Sequence, residues 1–407
     1  MGAAYGHMNH PFDDNNLTFG NLKEIIELGL SGQLNREDNV TEKFDGQNLM
    51  ISWKGEKLIA ARNKGHLKNS GENALDLNGI SDKFDGRGDI KDAFVFAVED
   101  LQNAIKLLSE DKKLEIFDNG NNFMNLEVMW PSSSNVIDYD VAQIVFHGAL
   151  KYDMDGTVVG EVVDSAKILG GIIKEINQHV QDKYIIDKPN FLRIPKHQNF
   201  SKKRRLYFNK LRKLQNEYNL SDKDTLGMYH QSYWKEFIYN SSKQYRYKIN
   251  EDVLMGITKR WAFNDKSYSI RHMKKEIKND RFLKWILSFD KYDNTHMVKE
   301  NMKSFEKIFF GVGAEILKNI SGFLSVNPDK TVQRIRKKVR ESISYVKRGG
   351  DIKKIKRLKD NLEKLDSIGG MDSIVPVEEI VFKYNGNVYK FTGAFAPVNQ
   401  ITGLMRY

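Results

Sequence analysis

Lys43 lies in the run Thr41-Glu42-Lys43-Phe44-Asp45-Gly46-Gln47-Asn48, where a lysine and a carboxylate stand two residues apart and a glycine follows. A lysine amine attacks phosphorus only when neutral, which requires burial or nearby cationic charge to lower its pKa, and bound Mg²⁺ supplies such charge. In that chemistry Asp45 would orient the amine or a metal-bound water, and Gly46 would leave room for a ligand beside the chain. The same residues also suit a surface turn, because Asp-Gly is a frequent turn pair. His7, His10, Asp13 and Asp14 form a polar cluster that reads as metal ligands or as capping groups, since their spacing is not diagnostic. His66 and His147 are equally open. No glycine-rich loop ends in Lys-Ser or Lys-Thr, and no Gly-x-Ser-x-Gly turn occurs, which excludes those phosphate-loop and serine-nucleophile designs.

The elements that must position these residues read from periodicity. Residues 17 to 31 carry an apolar helical face of Leu22, Ile25, Ile26 and Leu28 to Leu30 that ends near Gly32. Asn48 to Trp53 and Lys57 to Arg62 flank Lys54-Gly55-Glu56, predicting a hairpin directly after the Lys43 loop. Ala93 to Leu108 reads as helix, Phe123 to Trp130 and Gln143 to Lys151 as strands, and Asp155-Gly156 turns the second strand back through Thr157 to Glu161.

From about Ser201 the period is helical, ending in two stripes: Val332, Ile335, Val339, Ile343 and Val346, then Ile352, Ile355, Leu358, Leu362 and Leu365. Gly349-Gly350 separates these helices and Ile368-Gly369-Gly370 ends the second. After Pro376 strands return as Glu379 to Tyr384 and Asn387 to Thr392 around Asn385-Gly386. The expected class is α+β, with strand-bearing parts at 1–194 and 371–407 and a helical part at 195–370.

Charge follows the same division. Residues 195–370 hold 41 Lys and Arg against 20 Asp and Glu, a net of +21, whereas the remainder holds 23 against 34, a net of −11. One segment therefore carries the whole excess behind the chain's +10, as expected of a surface that attracts phosphate backbone beside an acidic body; a lysine-rich solvated bundle is the plainer alternative. The chain contains no cysteine, which excludes disulfides, thiolate metal sites and cysteine nucleophiles and permits a reducing cytoplasm. With no apolar run of membrane-spanning length and a polar start, the expectation is a protein with no membrane partner, cytoplasmic, or in the host cytoplasm if phage-encoded.

Taken in order, the Lys43 run, Arg62-Asn63-Lys64-Gly65, Glu127, Phe146, Glu378-Glu379-Ile380-Val381 and Lys390 resemble the motifs shared by ATP-dependent DNA ligases, RNA ligases and mRNA-capping guanylyltransferases. The first motif is closest to the phage RNA-ligase branch. The resemblance implies that Lys43 forms a lysyl-AMP phosphoramide and that Glu42 is the acidic residue before it, whose backbone neighbourhood reads the adenine. It implies that Arg62 holds ribose or phosphate, Glu127 accepts from a ribose hydroxyl and Phe146 stacks on the purine. Each of the three also has a plain alternative: a surface arginine, a solvent-facing strand glutamate and a core phenylalanine. Glu378 would bind Mg²⁺, Lys383 supports the register of its motif as a nucleotide-site lysine, and Lys390 would hold the α-phosphate.

Two positions depart from the pattern. Glu379 replaces the usual glycine, and Thr392 replaces the second lysine of a Lys-x-Lys pair. The resemblance covers roughly residues 35–160 and 375–393, so its fold would be a nucleotidyltransferase core interrupted by the large basic helical insertion. The 17 residues after Lys390 are too few for the OB domain of most DNA ligases and capping enzymes, which favours an RNA-ligase-like enzyme using ATP and Mg²⁺ on RNA or DNA strand ends. A nucleic-acid-binding phage protein with a degenerate site is the competing reading, and a DNA ligase, a capping-type enzyme and transfer of AMP to another acceptor are further ones.

Overall fold

The computed structural model describes residues 8–133, 136, 137, 139–162, 165, 168, 183–187, 191–292, 294–320 and 328–405. His7 lies outside them. The molecule is mixed α and β, with largely antiparallel pairing in two sheets.

The first helix, Phe19–Ser31, is capped by the Thr18 hydroxyl and ends at left-handed Gly32, as its apolar stripe predicts. The strands follow: β1 Thr41–Lys43, β2 Gln47–Lys54, β3 Lys57–Ala61, β4 Asn122–Met129, β5 Gln143–Tyr152, β6 Val158–Glu161 and β7 Ile185–Asp187. After a long run of helices come β8 Glu379–Tyr384 and β9 Asn387–Thr392. The β8–β9 turn is Asn385-Gly386, both at positive φ (49° and 74°), a conformation that these two residue types tolerate best.

One sheet has the order β3-β2-β4-β5-β6, with β7 parallel to β5; the other has the order β1-β8-β9. In the larger sheet Leu49, Ile51, Leu126, Val128, Ile144 and Phe146 face a core shared with Phe94, Val98 and Leu101 of the helix Asp89–Lys106. That helix starts four residues before the predicted Ala93 because Asp89 and Asp92 form its first turn. Short helices at Lys64–Gly71, Leu77–Lys83, Glu110–Phe117 and Phe395–Gly403 carry too few turns to show a period in sequence.

The helices between Phe200 and Ser367 do not share one core. Phe200–Glu217 and Asn294–Asn319 place Tyr207, Leu211, Phe305 and Phe309 in a cluster with the first helix and with Phe382 and Phe391 of β8 and β9. Helices within 226–292 enclose a separate aromatic cluster around Trp234, Trp261, Phe282 and Phe289. Pro328–Gly349 and Ile352–Ser367 bury Ile335, Val339, Val346, Leu358 and Leu365 against Phe44 and the helix Phe395–Gly403. The basic segment is thus tied to both sheets. Among the described residues no helix is long and apolar enough to cross a membrane.

Candidate active site around Lys43

Strand pairing assembles the site. β1 runs antiparallel to β8 with Lys43 opposite Glu379, and β8 runs antiparallel to β9 with Glu379 opposite Thr392 and Val381 opposite Lys390. Residues more than three hundred positions apart thereby meet. Lys43 Nζ lies 2.6 Å from Glu378 Oε1 and 3.7 Å from Glu379 Oε2, and Lys390 Nζ lies 2.9 Å from Glu379 Oε1. The Lys43 side chain keeps 30% of its exposure, whereas Glu379 keeps 6% and Lys390 11%, so Lys43 is the most open of the three.

The two departures from the motif pattern prove to be a cross-strand pair. The Thr392 hydroxyl donates to Glu379 Oε1, and His10 Nε2 sits 2.9 Å from Thr392 Oγ1. Because Thr392 has one proton to give, His10 Nε2 must donate when Thr392 serves Glu379. His10 Nδ1 faces Asp13 Oδ2 at 3.0 Å, within a reciprocal cap of the turn Pro11–Asp13. Asp14 accepts from the Tyr389 hydroxyl at 2.7 Å. The described members of the N-terminal polar cluster therefore cap and brace β9, and among the described residues no three His, Asp or Glu side chains form a metal-holding group.

The larger sheet supplies the other wall. Glu127 on β4 accepts from the Gly46 amide at 3.1 Å, and its second oxygen lies 3.4 Å from His147 Nε2. A Cβ on Gly46 would fall 2.6 Å from Glu127 Cγ and 2.9 Å from the Val128 carbonyl, so the close approach of β4 requires glycine here. Asp45 Oδ2 accepts from the amides of Val136 and Ile137 at 2.6 and 3.0 Å, and the Asp45 amide donates to the Tyr139 hydroxyl at 2.9 Å. Asp45 thus ties the Lys43 loop to the chain after β4. Tyr139, ninety-four residues away, has no sequence signal that links it to the site.

Three sequence-predicted residues sit apart from this cluster, and a fourth, Glu42, turns away from Lys43 but stays within electrostatic reach of Tyr139. Phe146 is 2% exposed and faces the helical core with Leu126 and Val128, so it is corrected from a stacking ring to a core residue; the ring on the Lys43 side of β5 is His147. Arg62 donates to the Asn48 carbonyl and lies over Phe94, 4.6 Å from its centroid. Its fork is directed at the edge of β2 and the helix behind it. Lys383 pairs with Asp38 at 2.8 Å, four residues along β8 from Glu379, roughly 13 Å by strand rise. Glu42 is buried, and alternation directs it to the opposite side of β1 from Lys43.

Charge in the cluster is unbalanced. Burial works to lower the Lys43 pKa, but Glu378, Glu127 and Glu379 outweigh it and hold the amine above the ordinary lysine value. Burial, opposed by Lys43 and reinforced by Glu379, Asp45 and Glu127, pushes the Glu378 carboxyl well up. Glu379 is held down: burial raises it, and Lys43, Lys390 and the Thr392 hydroxyl together overcome that. Asp45, Glu127, Glu378 and Glu379 outnumber Lys43 and Lys390 in the cluster, and Glu379 Oε2 is buried without a hydrogen bond. This donor set fits a divalent cation held mainly by substrate phosphates and only one or two protein carboxylates, the usual Mg²⁺ arrangement. Electrostatic contacts of Lys43 with Glu127 and of Lys383 with Glu161 also run between the two sheets.

Compared with protein-family models, with curated proteins and with solved structures, the chain has no match.

Proposed function

We propose that this chain is an ATP-dependent polynucleotide ligase, with RNA the preferred substrate class, that works through AMP bound covalently to Lys43. The observation that carries the reading is the β1-β8-β9 pairing, which gathers Glu378, Glu379 and Lys390 around a part-exposed Lys43 side chain, the residues that the motif resemblance expects to meet. In the first step the Lys43 nitrogen bonds to the α-phosphorus of ATP, the bond to pyrophosphate breaks, and the amine's proton passes to the carboxylate cluster. A 5′-phosphate oxygen then displaces the lysine, taking AMP, and a 3′-hydroxyl displaces AMP to form the phosphodiester. Lys390 would steady the α-phosphate once released from Glu379, and Glu127 with His147 offers groups for a sugar hydroxyl. Mg²⁺ held through Glu378 and the ATP phosphates would neutralise the excess carboxylate charge that keeps Lys43 protonated.

The test is direct. Incubate the protein with α-labelled ATP and Mg²⁺, denature it, and look for protein-bound label that is acid-labile and base-stable. Label on the wild type and none on Lys43→Ala is expected; an unlabelled wild type refutes the reading. Labelling by GTP in place of ATP would reassign the chain to capping-type chemistry.

One observation favours a second reading, a polynucleotide-binding protein whose site no longer completes ligation. Glu379 engages both lysines and Thr392 occupies the second phosphate-lysine position. Binding of RNA or DNA with no lysyl-AMP would support it.

A further inference from the structure

The paired helices Pro328–Gly349 and Ile352–Ser367 carry opposite features at their two ends. Near the base, Ile335 and Val339 share a cluster with Phe44, the residue after Lys43, and the cations are tied down: Arg336 to Asp372 at 3.3 Å and Lys364 to Glu306 at 2.9 Å. Near the tip, among the described residues, no carboxylate pairs with them, and Arg348 Nε reaches only the Ser344 carbonyl of its own helix, at 3.4 Å. Residues 340–358 contain seven Lys and Arg and two Asp and Glu, a net of +5. Of the two acids, Asp351 is used as the cap of the second helix, accepting from the Lys353 and Lys354 amides at 2.8 and 3.1 Å. Arg340, Lys347, Arg348, Lys353, Lys356 and Arg357 are exposed.

Between these cations the tip presents a ring. Tyr345 is 44% exposed, with Lys354 Nζ 5.5 Å from its centroid, and Ile352 and Ile355 of the second helix are 82% and 42% exposed. The apolar stripe of the second helix therefore runs past the end of the core that the rest of it fills, and nothing in folding requires those side chains at a solvent-facing tip. An exposed aromatic face among unpaired cations matches a single-stranded polynucleotide, whose phosphates take the charges and whose unstacked base takes the ring. An anionic lipid surface fits less well, because an interfacial helix offers a full apolar face and here the buried stripe has already been used.

We propose that this hairpin tip is a binding surface for single-stranded polynucleotide, and that it leads the strand toward Lys43. The buried stripe behind the tip, from Ile335 and Val339 to Val346 and Leu358, lies in one cluster with Phe44, so the tip and the Lys43 loop stand on the same core. Delivery to Lys43 rests on the proposed ligase reading; binding does not.

Two variants of the whole chain test this: Lys353→Glu with Arg357→Glu, and Tyr345→Ala. Their binding to a fluorescein-labelled, 5′-phosphorylated single-stranded RNA would be measured by anisotropy over a range of NaCl concentrations. The charge reversal should weaken binding at least tenfold and flatten the slope of log affinity on log salt by about 1.4, or ~0.7 for each of the two lost contacts. Tyr345→Ala should weaken it about tenfold at every salt concentration with the slope unchanged. Both variants should take AMP from ATP at the wild-type rate, and Lys43→Ala should bind RNA normally. Wild-type affinity in both variants overturns the proposal, as does wild-type binding to anionic phosphatidylserine vesicles with none to RNA. If AMP is taken up but the hairpin changes leave RNA binding intact, the surface assignment falls alone; if they weaken RNA binding in a chain that never takes AMP, the ligase reading falls alone.

Discussion

Glu379 is the residue on which the site's behaviour turns, because its carboxylate touches Lys43, Lys390 and Thr392. A glycine there would need no partner. A buried glutamate does, and Thr392 supplies the hydroxyl where a second lysine would have brought another charge. The carboxylates also hold Lys43 protonated, so labelling by ATP should rise with pH through the alkaline range. Glu379→Gln removes one of them, and the pH of half-maximal labelling should move down by about one unit. Labelling rates from pH 6 to 10 in the two proteins check this; an unmoved profile would mean that Glu379 does not govern the Lys43 amine.

Elements hold that residue geometry in place. The helix Asn294–Asn319 lies against β9 so closely that a Cβ on Gly313 would fall 2.4 Å from the Thr392 carbonyl oxygen. Backbone is the obstacle, so neither side can give way by a rotamer change. Gly313→Ala should therefore push helix and strand apart, costing roughly 1–3 kcal/mol in a urea melt and slowing labelling by displacing Thr392 and Lys390. A melt unchanged from wild type would show that the contact relaxes freely. The N-terminal turn braces the same strand from its other edge, with the Lys390 amide donating to the Asn9 carbonyl at 3.0 Å.

At the scale of the molecule, the long helical run is divided among three cores, so its stability is linked to that of both sheets. His230 lies where the helix Leu226–Gln244 meets Asn294–Asn319: Asn301 Nδ2 donates to its Nδ1 at 2.8 Å, and Nε2 is buried with no partner. Burial pushes the imidazole pKa down to about 4. Above about pH 6.5 both folded and unfolded states hold it neutral. As pH falls from there to about 4 only the unfolded chain takes up the proton, which removes on the order of 3 kcal/mol of stability. Urea midpoints at pH 7, 5 and 4 should fall more steeply for the wild type than for His230→Gln, whatever the variant's stability at pH 7. Equal slopes would place the acid sensitivity elsewhere.

Local signals carried far in this chain. The first helix, the hairpin after Lys43, the glycine break at residues 349 and 350 and the Asn385-Gly386 turn follow from nearest-neighbour stereochemistry and apolar period, and the order of motifs marked Lys43, Glu127, Glu378 and Lys390 as one group. What depends on register did not read from order. Side chains on a strand alternate with period two, and a register shift between Asn125 and Leu126 changes which β5 residues share a face with Glu127, so Phe146 goes to the core and His147 to the site. The tie from Asp45 to residues 136 and 137 and the pairing of Glu379 with Thr392 likewise arise only when distant strands and loops meet. Sequence alone singled out the residues on which the proposed phosphoryl chemistry rests; pairing across the fold decided which of them touch, because contact between distant residues is set by register and packing rather than by neighbours in the chain.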